Sequence, residues 1–303
     1  MADWRTLPDD VDVQVFRDHL KDLNAVAERL KAFDIVVAMR ERTPFPRALL
    51  EQLPNLRLLI TTGMRNASID TQAAADCGVT VCGTEGLPYP TAELTWGLIL
   101  ALARQIPRED RATRQGQWQV SMGLGLRGKT LGLMGLGRLG SQVAAVGNAF
   151  QMSVLAWSQN LTAERAAEGG ATLVSKDDLL AQSDFVSIHL ILSDRSRALI
   201  GTRELELMQS TAYLINTSRG PIVDEQALVR ALQQGTIAGA GLDVFDDEPL
   251  PLDHPLRRLE NTVLTPHMGY VTAETYDIFY GHAVEDIQAF LRGAPVRVVS
   301  APQ

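Results

Sequence analysis

A histidine, a glutamate and an arginine stand at three separated points of the chain, each just beyond a short apolar run. His267 lies in T-P-H-M-G, Glu248 in D-V-F-D-D-E-P and Arg219 in I-N-T-S-R-G. Taken singly, each has an ordinary explanation: a structural imidazole, one acid of a solvated loop, a surface guanidinium. Together they sit past the carboxyl ends of expected strands, where open α/β sheets bind their ligands. A fourth stretch, M-G-L-G-R-L-G at residues 134–140, follows a strand pattern and opens a helix pattern, S-Q-V-A-A-V-G-N-A-F. In that setting Gly135 permits a tight turn, Gly137 lets backbone amides approach a pyrophosphate, and Gly140 lets helix and strand pack closely. A dinucleotide site is the expected reading. Such sites usually place an acid at the end of the second strand, yet V-L-A-W-S-Q-N, residues 154–160, ends in serine, glutamine and asparagine.

The pattern around these residues supplies the sheets that would position them. From Val11 to Cys82 the strand-like runs V-Q-V-F, D-I-V-V-A-M, L-R-L-L-I-T-T and V-T-V-C alternate with helix patterns at Asp22–Leu30, Pro46–Leu53 and Ile69–Asp76. Alternation of this kind predicts parallel strands joined by helical crossovers. G-T-E-G-L-P-Y-P closes the block at Pro90, and T-A-E-L-T-W-G-L-I-L-A-L-A-R-Q reads as a long, mostly buried helix leading into a second domain. That domain begins near Lys129 and carries T-L-G-L-M, S-V-L-A-W, A-T-L-V, F-V-S-I-H-L, A-Y-L-I-N-T, A-G-L-D-V and T-V-L-T-P, enough for a doubly wound sheet. A final helix over Thr272–Arg292 places Tyr276, Phe279, Ala283, Ile287 and Phe290 at spacings of three or four, and is expected to pack back on the first domain.

Composition narrows the classes. With 303 residues, 46% hydrophobic and 21% charged, the chain has the make-up of a two-domain globular enzyme. A formal charge of −8 repels phosphate backbones, so nucleic acid is a poor partner. Cys77 and Cys82 are too few for a disulfide framework and lie outside any metal-binding pattern, so no metal is expected. The N-terminus lacks a basic segment followed by an apolar one, and no apolar run is long enough to span a membrane, which points to the cytoplasm.

With these motifs assembled, the chain resembles the D-isomer-specific 2-hydroxyacid dehydrogenases, a family that includes phosphoglycerate dehydrogenase and the hydroxypyruvate and glyoxylate reductases. The resemblance rests on G-L-G-R-L-G, V-S-I-H-L, I-N-T-S-R-G-P-I-V-D-E-Q-A-L, G-L-D-V-F-D-D-E-P and T-P-H-M-G, in family order. It implies an α/β fold of two domains: a Rossmann-type doubly wound parallel sheet, residues 93–270, inserted in a flavodoxin-like substrate domain, residues 1–92 and 271–303. It further implies an active site in the cleft, hydride exchange between NAD or NADP and a D-2-hydroxy acid or its 2-keto acid, and a homodimer. His267 is then the acid and base, a task suited to an imidazole. Glu248 on its other nitrogen fixes the tautomer and favours the protonated ring, and Arg219 offers a planar fork to the substrate carboxylate. By motif, Arg138 and Leu139 flank the pyrophosphate, Thr217 and Ser218 line the nicotinamide side, and Asp243 accepts from the carboxamide. Amides around Thr62, Gly63 and Met64 complete the carboxylate site.

Several departures from the family pattern carry expectations of their own. Ser158 replaces the acid that binds the ribose, so the repulsion of a 2′-phosphate is gone, while Gln159 and Asn160 supply no cation to attract one; NADP is expected to be tolerated. Ile191 replaces the proline of an H-x-P pattern on the adenine side, and bulky Tyr270 follows Gly269 where small residues are usual. M-R-E-R-T, residues 39–43, is similar to the segment that brings arginines near the substrate phosphate in phosphoglycerate dehydrogenases, which makes Arg40 a substrate candidate. Solvated strand-end charges are an equal reading of Arg40 and Arg42. A formate dehydrogenase is disfavoured because those relatives carry glutamine at the position of Glu248. The rival from another class is a nucleotide-sensing regulatory protein of corepressor type on the same fold. Finally, residues before Val11 contain no strand-like run. The expectation is that the first strand of the substrate domain is missing, with V-D-V-Q-V-F as its second strand.

Overall fold

The computed structural model describes residues 2–299; Met1 and residues 300–303, the outer ends of the expected substrate domain, lie outside them. The chain divides into two compact units, Met1–Leu87 with Val271–Gln303, and Pro88–Tyr270.

In the first unit, α1 (Leu23–Leu30), β1 (Ile35–Ala38), α2 (Arg47–Leu50), β2 (Leu58–Thr61), α3 (Thr71–Asp76) and β3 (Thr80–Gly83) follow one another, and the sheet is parallel in the order β1-β2-β3. Aspartates start two of the helices: Asp22 accepts from the Ala25 amide and Asp70 from the Ala73 amide, each at 2.8 Å. The period of two along the strands sorts the core into two layers. Leu59 and Val81 pack against Val26, Leu30, Leu49 and Ala73 of α1, α2 and α3, while Leu58, Ile60 and Cys82 meet Ala283, Val284 and Ile287 of the C-terminal helix, Ala273–Leu291. That helix therefore covers the second face, as its spacing predicts.

One expected strand is absent. Val13, Val15 and Phe16 are exposed, and residues 11–16 pair with no strand among the described residues. Alternating apolar residues become a strand only where a neighbouring backbone completes the ladder. Here Phe16 instead packs edge-on against Phe33, with the Arg29 guanidinium over its ring.

The second unit opens with α4 (Pro90–Ala103) and α5 (Ile106–Arg114). It then alternates: β4 (Thr130–Met134), α6 (Arg138–Ala149), β5 (Ser153–Trp157), α7 (Ala163–Glu168), β6 (Thr172–Leu173), α8 (Lys176–Gln182), β7 (Phe185–Ile188), α9 (Thr202–Leu207), β8 (Tyr213–Asn216), α10 (Glu225–Gln234), β9 (Gly239–Leu242) and β10 (Thr262–Leu264). The order is β10-β9-β8-β7-β4-β5-β6, every neighbouring pair parallel. Strand order reverses between β4 and β7, and ligands of such sheets bind outside the carboxyl ends at that point. Strands buried on both faces read as apolar runs, which is why L-G-L-M and F-V-S-I show little alternation.

Candidate active site

Two of the three glycines after β4 are demanded by the protein's own packing. Gly135 has φ +101°, and a Cβ there would come within 2.6 Å of the His189 carbonyl oxygen; one on Gly140 would come within 2.2 Å of the Gly135 carbonyl oxygen. Gly137, which caps α6, is different: its Cβ would meet nothing within 4 Å. Open space at the N-terminus of a helix, whose first amides have no intrahelical acceptor, fits a pyrophosphate. Arg138 and Leu139 begin that helix. Half-buried Ser158 follows β5 directly, and Gln159 and Asn160 beyond it are exposed. On the neighbouring strand end, His189 Nε2 lies 2.9 Å from Ser187 Oγ, and burial lowers its pKa to about 4, so the ring is neutral. Ile191, two residues on, is exposed.

At the end of β8, the side chain of Asn216 shapes the turn that carries Arg219. Its Oδ1 accepts from the Ser218 amide and its Nδ2 donates to the Arg219 carbonyl, both at 3.0 Å. Ser218 Oγ donates to the Ile188 carbonyl at 2.9 Å, and Thr217 Oγ1 lies 2.9 Å from the hydroxyl of Thr95 on α4. Gly220 has no room for a side chain, since a Cβ would fall 2.2 Å from the Phe245 carbonyl. The Arg219 turn is thereby pressed against the segment leading from β9 to Glu248. Sequence reading singled out Thr217, Ser218 and Arg219 but passed over Asn216, although asparagine at a strand end is an ordinary turn-former.

Glu248 and His267 meet. Glu248 Oε2 lies 2.6 Å from His267 Nδ1, and its Oε1 accepts from the Phe245 amide at 2.9 Å. With Nδ1–H directed to a carboxylate, Nε2 is left for chemistry. His267 itself has φ +52°, a left-handed conformation uncommon for a non-glycine residue. The Tyr270 ring stands edge-on to the imidazole, centroids 6.0 Å apart. Buried Asp243 accepts from the Thr265 hydroxyl at 2.6 Å and from the Met268 and Gly269 amides at 2.8 Å. Burial raises its carboxyl pKa, and these three donors offset only part of that rise.

The substrate candidates of the first unit form a group of their own. Arg40, also left-handed at φ +49°, donates its amide to Thr62 Oγ1 at 3.0 Å and lays its guanidinium over Gly63, where a Cβ would fall 2.2 Å from Nη1. Its Nε lies 3.5 Å from Glu41. The Thr62 amide donates to the Ala38 carbonyl at 3.0 Å and the Gly63 amide to Thr84 Oγ1 at 2.9 Å. Those two amides are therefore committed inside the unit, which corrects the expectation that all three face a carboxylate. Met64, which is exposed, keeps that candidacy.

Residues 96–269 match the model of the D-isomer specific 2-hydroxyacid dehydrogenase NAD binding domain. A glyoxylate reductase of Aeropyrum pernix is 45% identical over 255 residues, 81% of this chain and 76% of the relative. The crystal structure of the phosphoglycerate oxidoreductase from Vibrio cholerae superposes with a TM-score of 0.89 at 37% identity, over 93% of this chain and 92% of that one. D-lactate dehydrogenase from Aquifex aeolicus, solved with NAD and lactic acid, gives 0.77 at 31% identity, over 91% and 90%. The chain belongs to the D-isomer specific 2-hydroxyacid dehydrogenase family, oxidoreductases that move a hydride between a nicotinamide cofactor and a 2-hydroxy acid or its 2-keto acid.

Proposed function

We propose that the chain reduces a small 2-keto acid, of the size of glyoxylate or hydroxypyruvate, with His267 as proton donor and Arg219 as carboxylate anchor. The observation that carries this reading is the 2.6 Å contact between His267 Nδ1 and Glu248, in the same unit as the open cradle at Gly137. A bound nicotinamide supplies the hydride to C2. His267 Nε2 gives its proton to the carbonyl oxygen in reduction and takes it from the hydroxyl in oxidation, with Glu248 holding the ring in register. The Arg219 fork pairs with the carboxylate and polarises the carbonyl beside it. Arg138 and Leu139 offer the helix-end amides to the pyrophosphate, and Thr217 and Ser218 line the nicotinamide. Asp243, with three of its roughly four acceptor positions occupied, keeps one for the carboxamide.

A small substrate is favoured by the Tyr270 ring beside His267 and by the glyoxylate reductase relative. Arg40, already engaged with Thr62 and Glu41, weighs against a phosphate-reading role. Ser158 makes NADP(H) acceptable beside NAD(H). A cytoplasmic homodimer is the proposed form; no helix among the described residues is long and apolar enough to cross a membrane. The test is consumption of NADH and NADPH with glyoxylate, hydroxypyruvate and phosphohydroxypyruvate, for the wild type and His267→Gln. The variant should lose roughly 10²- to 10⁴-fold in turnover while binding NADH normally. Undiminished turnover would remove His267 from the mechanism, and inertness of the wild type towards all three acids would remove the substrate class.

A further inference from the structure

We propose that Asp243 is a positioning residue for His267, acting with Thr265 as a clamp that holds the imidazole-bearing loop in its left-handed conformation. The inference rests on the reading of His267 as proton donor. It begins from where the three donors to Asp243 lie. The Thr265 hydroxyl comes two residues before His267, and the Met268 and Gly269 amides come one and two residues after it, at 2.6, 2.8 and 2.8 Å. A single buried carboxylate thus spans the loop on both sides of the histidine. Gly269 makes the approach possible: a Cβ there would stand 3.1 Å from Asp243 Oδ2 and 3.1 Å from Thr91.

The backbone of His267 needs such a hold. At φ +52° it occupies a region that side-chain-bearing residues adopt rarely, and its own amide bonds only locally, to the Thr265 carbonyl at 3.1 Å. Strain of this kind persists where surrounding contacts over-determine it. Asp243 is well placed to do so because its own amide is fixed to the Asn216 carbonyl at 3.0 Å, at the end of the β8–β9 ladder. Glu248 fixes the ring through Nδ1, and Asp243 fixes the backbone from which the ring projects. Both acids leave the same strand end five residues apart in sequence. The direction of Nε2 therefore depends on two acids.

Thr265→Val separates this role from any contact of Asp243 with the cofactor, since it removes one clamp bond and leaves the carboxylate. The expected result is a fall in kcat of about ten- to a hundredfold, as for a proton donor misplaced by a fraction of an ångström. KM for glyoxylate and the Kd for NADH, read by protein fluorescence, should stay within about twofold. Thr265→Ser, which restores the hydroxyl, should recover the rate. Asp243→Asn should lower kcat further, because its amide nitrogen would face one of the three donors. Wild-type kcat in Thr265→Val overturns the clamp, as does a loss shared equally by kcat, KM and Kd, or a failure of serine to rescue. If His267→Gln also turns over normally, the reading of the site fails and the clamp with it. A dead His267→Gln beside an unimpaired Thr265→Val defeats the clamp alone.

Discussion

In the proposed mechanism a guanidinium and an imidazole divide the work at the substrate, and their loss should be distinguishable. As carboxylate anchor, Arg219 would contact the substrate in both ground and transition states, so Arg219→Ala should raise KM and lower kcat together, by about 10²-fold or more in kcat/KM, whereas His267→Gln should act on kcat. Arg219→Lys keeps the charge without the planar fork and should recover only part of the loss. Steady-state kinetics with glyoxylate checks both. At the other end of the cofactor, Ser158→Asp restores an acceptor for the ribose hydroxyls and a charge facing any 2′-phosphate. The ratio of kcat/KM for NADH over NADPH should rise about tenfold or more, close to 1.4 kcal/mol. Equal use of the two cofactors after the change would show that discrimination lies elsewhere.

The turn between β4 and α6 tests whether an element or a ligand requires each glycine. Gly140→Ala puts a methyl against the Gly135 carbonyl and should cost about 1–3 kcal/mol of stability, visible as a lowered Tm. Gly137→Ala meets only open space, so its Tm should hold while NADH affinity falls; a variant that binds NADH normally would argue against the pyrophosphate cradle. The separate roles of these two glycines were expected from G-L-G-R-L-G, but the atoms opposite each, a carbonyl at Gly140 and open space at Gly137, were not, because sequence records the missing side chain and not what stands opposite it. The strands around this turn were legible for a simpler reason: buried parallel strands are short apolar runs, and V-L-A-W or L-I-N could be little else between helices. V-Q-V-F misled because alternation also describes an exposed segment, and pairing depends on residues far away in the chain. Glu248, His267 and Arg219 were recognisable by motif. The bonds from Asp243 and Asn216 that hold them were not, since all but the one from the Thr265 hydroxyl join a side chain to a backbone amide or carbonyl, which nearly any residue can supply.

Each unit carries a buried titratable group, His189 in one and Asp286 in the other, and the contributions of these two groups to stability depend on pH in opposite senses. In the second unit, burial depresses His189 from 6.5 to about 4. Its contribution is present above about pH 6.5 and is lost as the pH falls towards 4, because the unfolded chain takes up the proton first. In the first unit, Asp286 of the C-terminal helix has no exposed surface; its Oδ1 accepts from Arg297 Nε at 3.0 Å, and burial raises its carboxyl from 3.8 to about 6. The folded state then holds a proton that the unfolded state gives up. That contribution is complete below about pH 3.8 and disappears as the pH rises through about 6. Glu285 and Cys82 lie close to the same pair, and Arg297 also donates to Glu285 and to the His282 carbonyl, tying the segment beside β3 to the helix. Asp286→Asn is neutral at every pH and cannot follow this course. Its thermal stability relative to wild type should improve steadily between about pH 4 and 6 and level off above, by up to about 3 kcal/mol. The measurement is a series of melting curves for both proteins across that window. A constant difference would mean that Asp286 is ionised throughout and that Arg297 fully offsets its burial.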